Sequence, residues 1–288
     1  MANHEVDDIT GVETTGHEWD GIKELNNPLP RWWLWTFYGC IAVGLGISVL
    51  YPAWPLFGGP TPGVLGYSTR TELSNDLAAA QLAQAGLIAK VAATPVADIL
   101  IDADLNRYAT AGGASAFKVH CIQCHGTGAE GGVGYPNLND DEWIWGGTID
   151  EVYATITHGA RDPGDPDTHY NIMPNFGADA ILEAPQIATV ATYVASLSGL
   201  EGGVNTPEGA QIFADNCAAC HGDDAKGKPE LGGPDLTDQI WLYNGSLDSI
   251  VAQLGKPRHG TMPAWGVRLG DTTVKELAVY VHGLGGGR

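Results

Sequence analysis

The chain has 288 residues, 44% of them apolar, which is enough for more than one hydrophobic core and too apolar for intrinsic disorder. Its 34 carboxylates against 14 Lys and Arg give a formal charge of −20, which repels nucleic acid over most of the molecule and excludes a nucleic-acid-binding function. The 40 glycines and 17 prolines stay below collagen-like levels and indicate compact, loop-rich domains.

Residues 1–31 read as an acidic tail without the apolar core of a cleavable leader. Residues 32–57, from Trp32 to Phe57, carry no charge, and the first twenty of them reach Tyr51 before Pro52 can break a helix, a length that spans a bilayer. Trp32, Trp33 and Trp35 at one end, with Tyr51 and Trp54 at the other, have the placing of interfacial aromatic belts. Lys23 and Arg31 precede this span and no basic residue follows it until Arg70, so the tail is expected in the cytoplasm and everything beyond residue 57 outside. Gly39, Ala42 and Gly46 share one helical face, where they serve either close packing of a second transmembrane helix or nothing beyond glycine tolerance. Cys40, in the same segment, reads as a buried, inert thiol. Residues 58–105 are expected to be an outside linker: Gly58 to Ser68 is rich in Gly and Pro, and Thr71 to Val91 has helical composition closed by Pro95.

The remainder contains an internal repeat. Gly113, Phe117 and Cys121 recur as Gly209, Phe213 and Cys217; Pro136, Leu138, Trp143, Gly147 and Asp150 recur as Pro234, Leu236, Trp241, Gly245 and Asp248. Each copy then reaches a Met-Pro pair, at Met173 and Met262, and closes on a similar tail, TYVASL and VYVHGL. Two domains are expected, 106–200 and 201–288.

Each copy holds Cys-x-x-Cys-His: Cys121, Cys124 and His125, then Cys217, Cys220 and His221. Two thiols three residues apart can reach both vinyl groups of one porphyrin while the next residue offers an imidazole to the iron, the attachment signature of a c-type haem. A zinc ribbon would place its Cys pairs far closer together, and a redox dithiol would not need the trailing His twice. Two covalently bound haem c groups are therefore expected. Met173 and Met262, 48 and 41 residues beyond their histidines, are expected as the second axial ligands, which raises the reduction potential and closes the iron to substrates. His158 and His259, each followed by Gly, are the alternative sixth ligands. Pro136 and Pro234 either supply a carbonyl to the other ring nitrogen of each haem histidine or are plain turn prolines. Phe117, Phe213, Tyr193 and Tyr280 are expected to pack the terminal helices of the domains. The first copy carries an acidic insertion, RDPGDPDTHYNI, which is either a docking feature for a basic donor or a solvated loop. The fold class is mainly α: one N-terminal transmembrane helix followed by two tandem class I cytochrome c domains.

The segment DGIKELNNPLPRWWLWTFYGCIAVGLGISVLYPAWP, with the two haem segments behind it, resembles the dihaem subunit of cbb3-type cytochrome c oxidase, the CcoP or FixP family. The resemblance implies thioether attachment at Cys121, Cys124, Cys217 and Cys220, proximal His125 and His221, and distal Met173 and Met262, with the pairing of methionines to irons left open between within-domain and crossed. It implies a bacterial inner-membrane subunit with periplasmic haem domains. Its partners would be a haem-copper catalytic subunit, a monohaem cytochrome c subunit, membrane lipid and a cytochrome c donor. It implies no catalytic residue in this chain, which would relay electrons while its neighbour reduces dioxygen and moves protons. Beyond residue 57 the chain holds 12 Lys and Arg against 27 carboxylates, a surface suited to a basic donor. The alternatives are a free-standing dihaem carrier or the cytochrome subunit of a periplasmic dehydrogenase.

Overall fold

In the computed structural model residues 5–286 are described, and the chain divides into two units, 1–83 and 84–288. The first unit opens with an antiparallel hairpin, β1 (Thr14–Trp19) and β2 (Ile22–Leu25). Its turn, Asp20-Gly21, has φ of 50° and 85°, the left-handed pair whose twist matches a two-residue hairpin. Helix α1 (Arg31–Leu50) begins after Pro30 and is not buried at any residue. It is long and apolar enough to cross a membrane. Cys40 lies on the surface of this helix. The carbonyls of Val49 and Leu50 accept from the amides of Val64 and Leu65, at 2.9 and 3.1 Å, which satisfies two groups that the helix end orphans. Between them a two-residue hairpin forms from β3 (Pro55–Leu56) and β4 (Gly59–Pro60).

Helix α2 (Thr69–Ala93) runs across the division of the two units. Its last turns belong to the second, where Val91 is fully buried. Helix α3 (Val96–Ile101) adds Val96 and Ile99, so the end of the expected linker, with its helix, packs into this core.

Two parallel series of helices follow. The first comprises α4 (Ala103–His120), α5 (Ile122–His125), α6 (Ile149–His158) and α7 (Ala184–Leu197); the second comprises α8 (Pro207–Asn216), α9 (Ala218–His221), α10 (Leu247–Gly255), α11 (Gly266–Leu269) and α12 (Asp271–His282). The starts are capped locally. Asp102 accepts from the amides of Asp104 and Leu105 for α4, Thr148 and Glu151 form a capping box on α6, and Thr206 caps α8 ahead of Pro207. On α4 the buried residues are Leu105, Ala109, Gly113 and Phe117, one per turn.

The cores do not follow the sequence repeats. Helix α4 packs on α12, and α6 packs on α12 as well, whereas α7 packs on α8 and α10. One core therefore joins Val91, Ile99, Phe117 and Val152 to Val274, Leu277 and Val281 from the far end of the chain. The other, with Phe176, Val190, Val194, Phe213, Ile250 and Leu254, is made wholly from residues between 176 and 254. The second core is thus inserted within the first. Gly113 is what allows α12 to approach α4, because a Cβ there would collide with the Glu276 carbonyl and the Tyr280 side chain; Gly209 serves α8 in the same way against Tyr193. The four aromatics pack helix on helix as expected, but in the pairs Phe117–Tyr280 and Tyr193–Phe213, with ring centroids 5.4 and 5.7 Å apart.

The cores meet through reciprocal contacts. A Cβ at Gly232 would strike the Trp145 ring, and Gly134, the repeat counterpart of Gly232, lies under Tyr243, the counterpart of Trp145. The amide of Gly134 donates to the Leu242 carbonyl at 2.7 Å. The same patch from each repeat is used on both sides, the mark of an isologous interface.

Candidate functional site

Each Cys-x-x-Cys-His segment is a single helical turn after a long helix. The His125 amide donates to the Cys121 carbonyl at 2.9 Å and the His221 amide to Cys217 at 3.0 Å. The turns end at Gly126 and Gly222, both with φ of 82°, a conformation that suits Gly. His125 Nδ1 lies 3.0 Å from the Pro136 carbonyl and His221 Nδ1 lies 3.0 Å from the Pro234 carbonyl. A carbonyl only accepts, so Nδ1 carries the proton and Nε2 keeps its lone pair for a metal. Burial pulls the pKa of both histidines down, against the smaller opposing effect of the proline carbonyls, and holds the rings in the neutral, ligating form. The two prolines of the sequence pattern thus supply carbonyls as well as turns.

Burial, reinforced by the neighbouring cysteine, pushes the Cys121 and Cys217 thiols up to about 11. They are protonated at neutral pH, the opposite of the low-pKa thiolate that a redox dithiol needs. The donor set suits a covalent c-type haem in a further respect. Trp241 Nε1 is buried without an acceptor among the described residues, whereas its repeat partner Trp143 Nε1 donates to the Gly286 carbonyl at 2.7 Å. A buried, unpaired donor beside the second His-bearing segment's core fits an anionic group such as a porphyrin carboxylate.

The methionines sit across the repeats. Met262 packs against the core that holds Cys121, and Met173 against the core that holds Cys217. Met262 is held there by Ala160, and a Cβ at Gly159 would collide with the Met262 carbonyl. His158 is otherwise engaged, with Nδ1 3.1 Å from Asp165. Asp162 of the acidic insertion and several residues that the sequence did not single out also converge here. Trp145 stacks on His169 at 4.5 Å and 7°, and His169 Nε2 meets the Thr155 hydroxyl at 3.0 Å. Arg161 and Asp162 contact the strand around Met262. Their only sequence signal was that they open an insertion peculiar to the first copy.

Three family models match successive parts of the chain. Residues 11–58 match the family described as the N-terminal domain of cytochrome oxidase-cbb3, FixP; residues 110–198 match cytochrome c; and residues 204–281 match cytochrome c oxidase, cbb3-type, subunit III. Over the full length of both chains, the sequence is 54% identical to the cbb3-type cytochrome c oxidase subunit FixPc of Rhizobium leguminosarum bv. viciae and 53% identical to subunit FixP of Rhizobium etli. It is 50% identical to subunit CcoP of Cereibacter sphaeroides over 95% of each chain.

Proposed function

The chain belongs to the FixP and CcoP family of cbb3-type cytochrome c oxidase subunits, and from that premise we propose that it relays electrons through two haems whose axial methionines are exchanged between its repeats. It is a cytochrome subunit of the oxidase and carries covalently bound haem c. We assign one haem to each Cys-x-x-Cys-His segment. His125 with Met262 would hold the first iron and His221 with Met173 the second. The observation that carries this pairing is the packing of each methionine against the core of the other repeat's cysteines.

His/Met ligation supplies a high-potential iron that exchanges single electrons and leaves no site for substrate. The protein's own contribution is to orient and to exclude water. Pro136 and Pro234 set the tautomer of the histidines, and the buried Phe117 and Phe213 anchor the helix that leads into each segment. Helix α1 would anchor the chain with the hairpin β1–β2 in the cytoplasm and the haem cores in the periplasm, as the basic residues Lys23 and Arg31 indicate. The haem-copper catalytic subunit and a monohaem cytochrome subunit would receive the electrons. A basic cytochrome c would deliver them to the acidic surface.

The test is to solubilise the membrane complex in mild detergent and isolate it through this chain. The reading expects b-type haem and copper in the same particle, and dioxygen uptake from reduced cytochrome c that slows as salt rises. Two c-type haems alone, without uptake, would make the chain a free-standing carrier.

A further inference from the structure

The insertion at residues 161–172 opens with an arginine that holds both methionine strands. Arg161 Nε donates to the Gly260 carbonyl at 2.6 Å and Nη1 donates to the Asn171 carbonyl at 3.3 Å. Gly260 stands two residues before Met262, and Asn171 stands two residues before Met173. One guanidinium therefore bonds the same position of two strands that belong to different cores. Its fork of donors in fixed directions is what such a double contact requires. It is half-buried, lies 5.8 Å from the centroid of the Trp145 ring, and forms no ion pair with a carboxylate among the described residues. Its neighbours extend the grip. Ala160 exchanges both backbone bonds with Met262, and Asp162 Oδ2 accepts from the Ala264 amide at 2.7 Å, so residues 160, 161 and 162 secure residues 262, 260 and 264. Asn171 Nδ2 in turn donates to the Leu231 carbonyl at 2.8 Å, which ties the other strand to the second core.

We propose that Arg161 is a positioning residue that fixes both axial methionine strands at once, so that the two iron–methionine bonds share one support. The proposal rests on the ligation described above and adds a coupling between the two centres.

The test uses the full-length, haem-loaded chain in detergent with Arg161→Gln and Arg161→Lys. Imidazole enters a closed ferric haem only when methionine leaves, so its entry rate reports on each strand. Hyperfine-shifted haem-methyl resonances of the ferric protein resolve the two haems as imidazole enters, and ligand-methyl resonances of the reduced protein report each methionine's ligation. Arg161→Gln is expected to speed imidazole entry at both haems by about tenfold, the size expected on losing a charged hydrogen bond. Arg161→Lys, a point charge without the fork, should rescue one haem at most. Unchanged rates at both haems, or a change at one haem only in Arg161→Gln, overturn the shared support. A lowered melting temperature with unchanged entry rates marks a merely structural arginine and overturns it too. If Arg161→Gln fails to retain haem, Arg161→Lys decides, because wild-type rates at both haems then refute the need for a fork. Met173→Leu and Met262→Leu in the unaltered background check the ligation separately. Loss of the haem at Cys121's methionine signal in Met173→Leu would refute the crossed pairing while leaving the arginine contacts to be judged on their own rates.

Discussion

Ala160 and Met262 exchange both of their backbone hydrogen bonds, at 3.0 and 2.9 Å, although they lie in different repeats. This antiparallel pair marks where the chain returns to its first core after building the second. It holds Met262 against the core of the first repeat's cysteines, which is half of the support for the crossed pairing proposed above.

Met262→His should accordingly lower the reduction potential of the haem attached at Cys121 by on the order of 0.1 V or more, since bis-His iron favours the ferric state relative to His/Met. The haem at Cys217 should keep its potential. A potentiometric titration with the two haems resolved decides the matter, and a shift confined to the Cys217 haem would restore within-repeat pairing.

Aromatic coupling provides a test that does not involve iron. In double-mutant cycles to Leu, Phe117 and Tyr280 should couple by about 1 kcal/mol, as should Tyr193 and Phe213. Phe117 and Tyr193, the pair that sequence order would bring together, should be additive. Urea unfolding of the holoprotein gives the required energies.

Glu276 on α12 faces the glycines of α4, and burial raises its carboxyl to about 7 from the ordinary 4.5. The fold thus favours the protonated acid. Below pH 4.5 both folded and unfolded chains hold the proton and the group costs nothing; between 4.5 and 7 the unfolded chain ionises first, so stability falls as pH rises. Glu276→Gln should therefore leave the melting temperature unchanged near pH 4 and raise stability by about 1–2 kcal/mol at pH 8, after allowance for the water that still reaches the site. An equal gain at both pH values would point to packing instead.

Trp241→Phe removes the buried indole donor that lacks an acceptor among the described residues. If that donor serves a porphyrin carboxylate, its loss leaves more negative charge near the iron and lowers the potential of the haem at Cys217 by on the order of 50 mV. Trp143→Phe instead breaks a bond to the Gly286 carbonyl and should cost about 1 kcal/mol of stability. An unchanged potential in Trp241→Phe counts against a carboxylate at that indole.

Local signals made much of this protein readable. The Cys-x-x-Cys-His segments need only five adjacent residues, and the uncharged run from Trp32 needs only length, so both can be read from the sequence without knowing the fold. The exchange of helices could not be read, for a definite reason. Helix α7 buries Ile187, Val190, Ala191 and Val194, and α12 buries Val274, Leu277, Ala278 and Val281, the same spacing on the same kind of face. Either helix satisfies α4 or α8 in pattern, and only the path of the connecting strands selects between them. Arg161 was invisible for a related reason: its partners are backbone carbonyls of Gly260 and Asn171, which leave no trace in side-chain patterning. The hairpin at Asp20-Gly21 was missed because its strands lack the apolar alternation that would mark a sheet face.

The insertion of one core within the other also sets an order of assembly. Helices α7 and α8 are separated by a short turn from residue 197 to residue 207, so their contact closes a small loop, whereas α4 must wait for a helix that starts at Asp271. Loop-closure entropy and contact order both favour the inner core forming first, and its compaction brings the ends of the outer one together. During synthesis the segment at Cys121 emerges before that at Cys217 yet is enclosed after it. Its thiols thus remain open to haem attachment for longer, and pulsed hydrogen exchange during refolding of the holoprotein should protect the amides of α8 before those of α4.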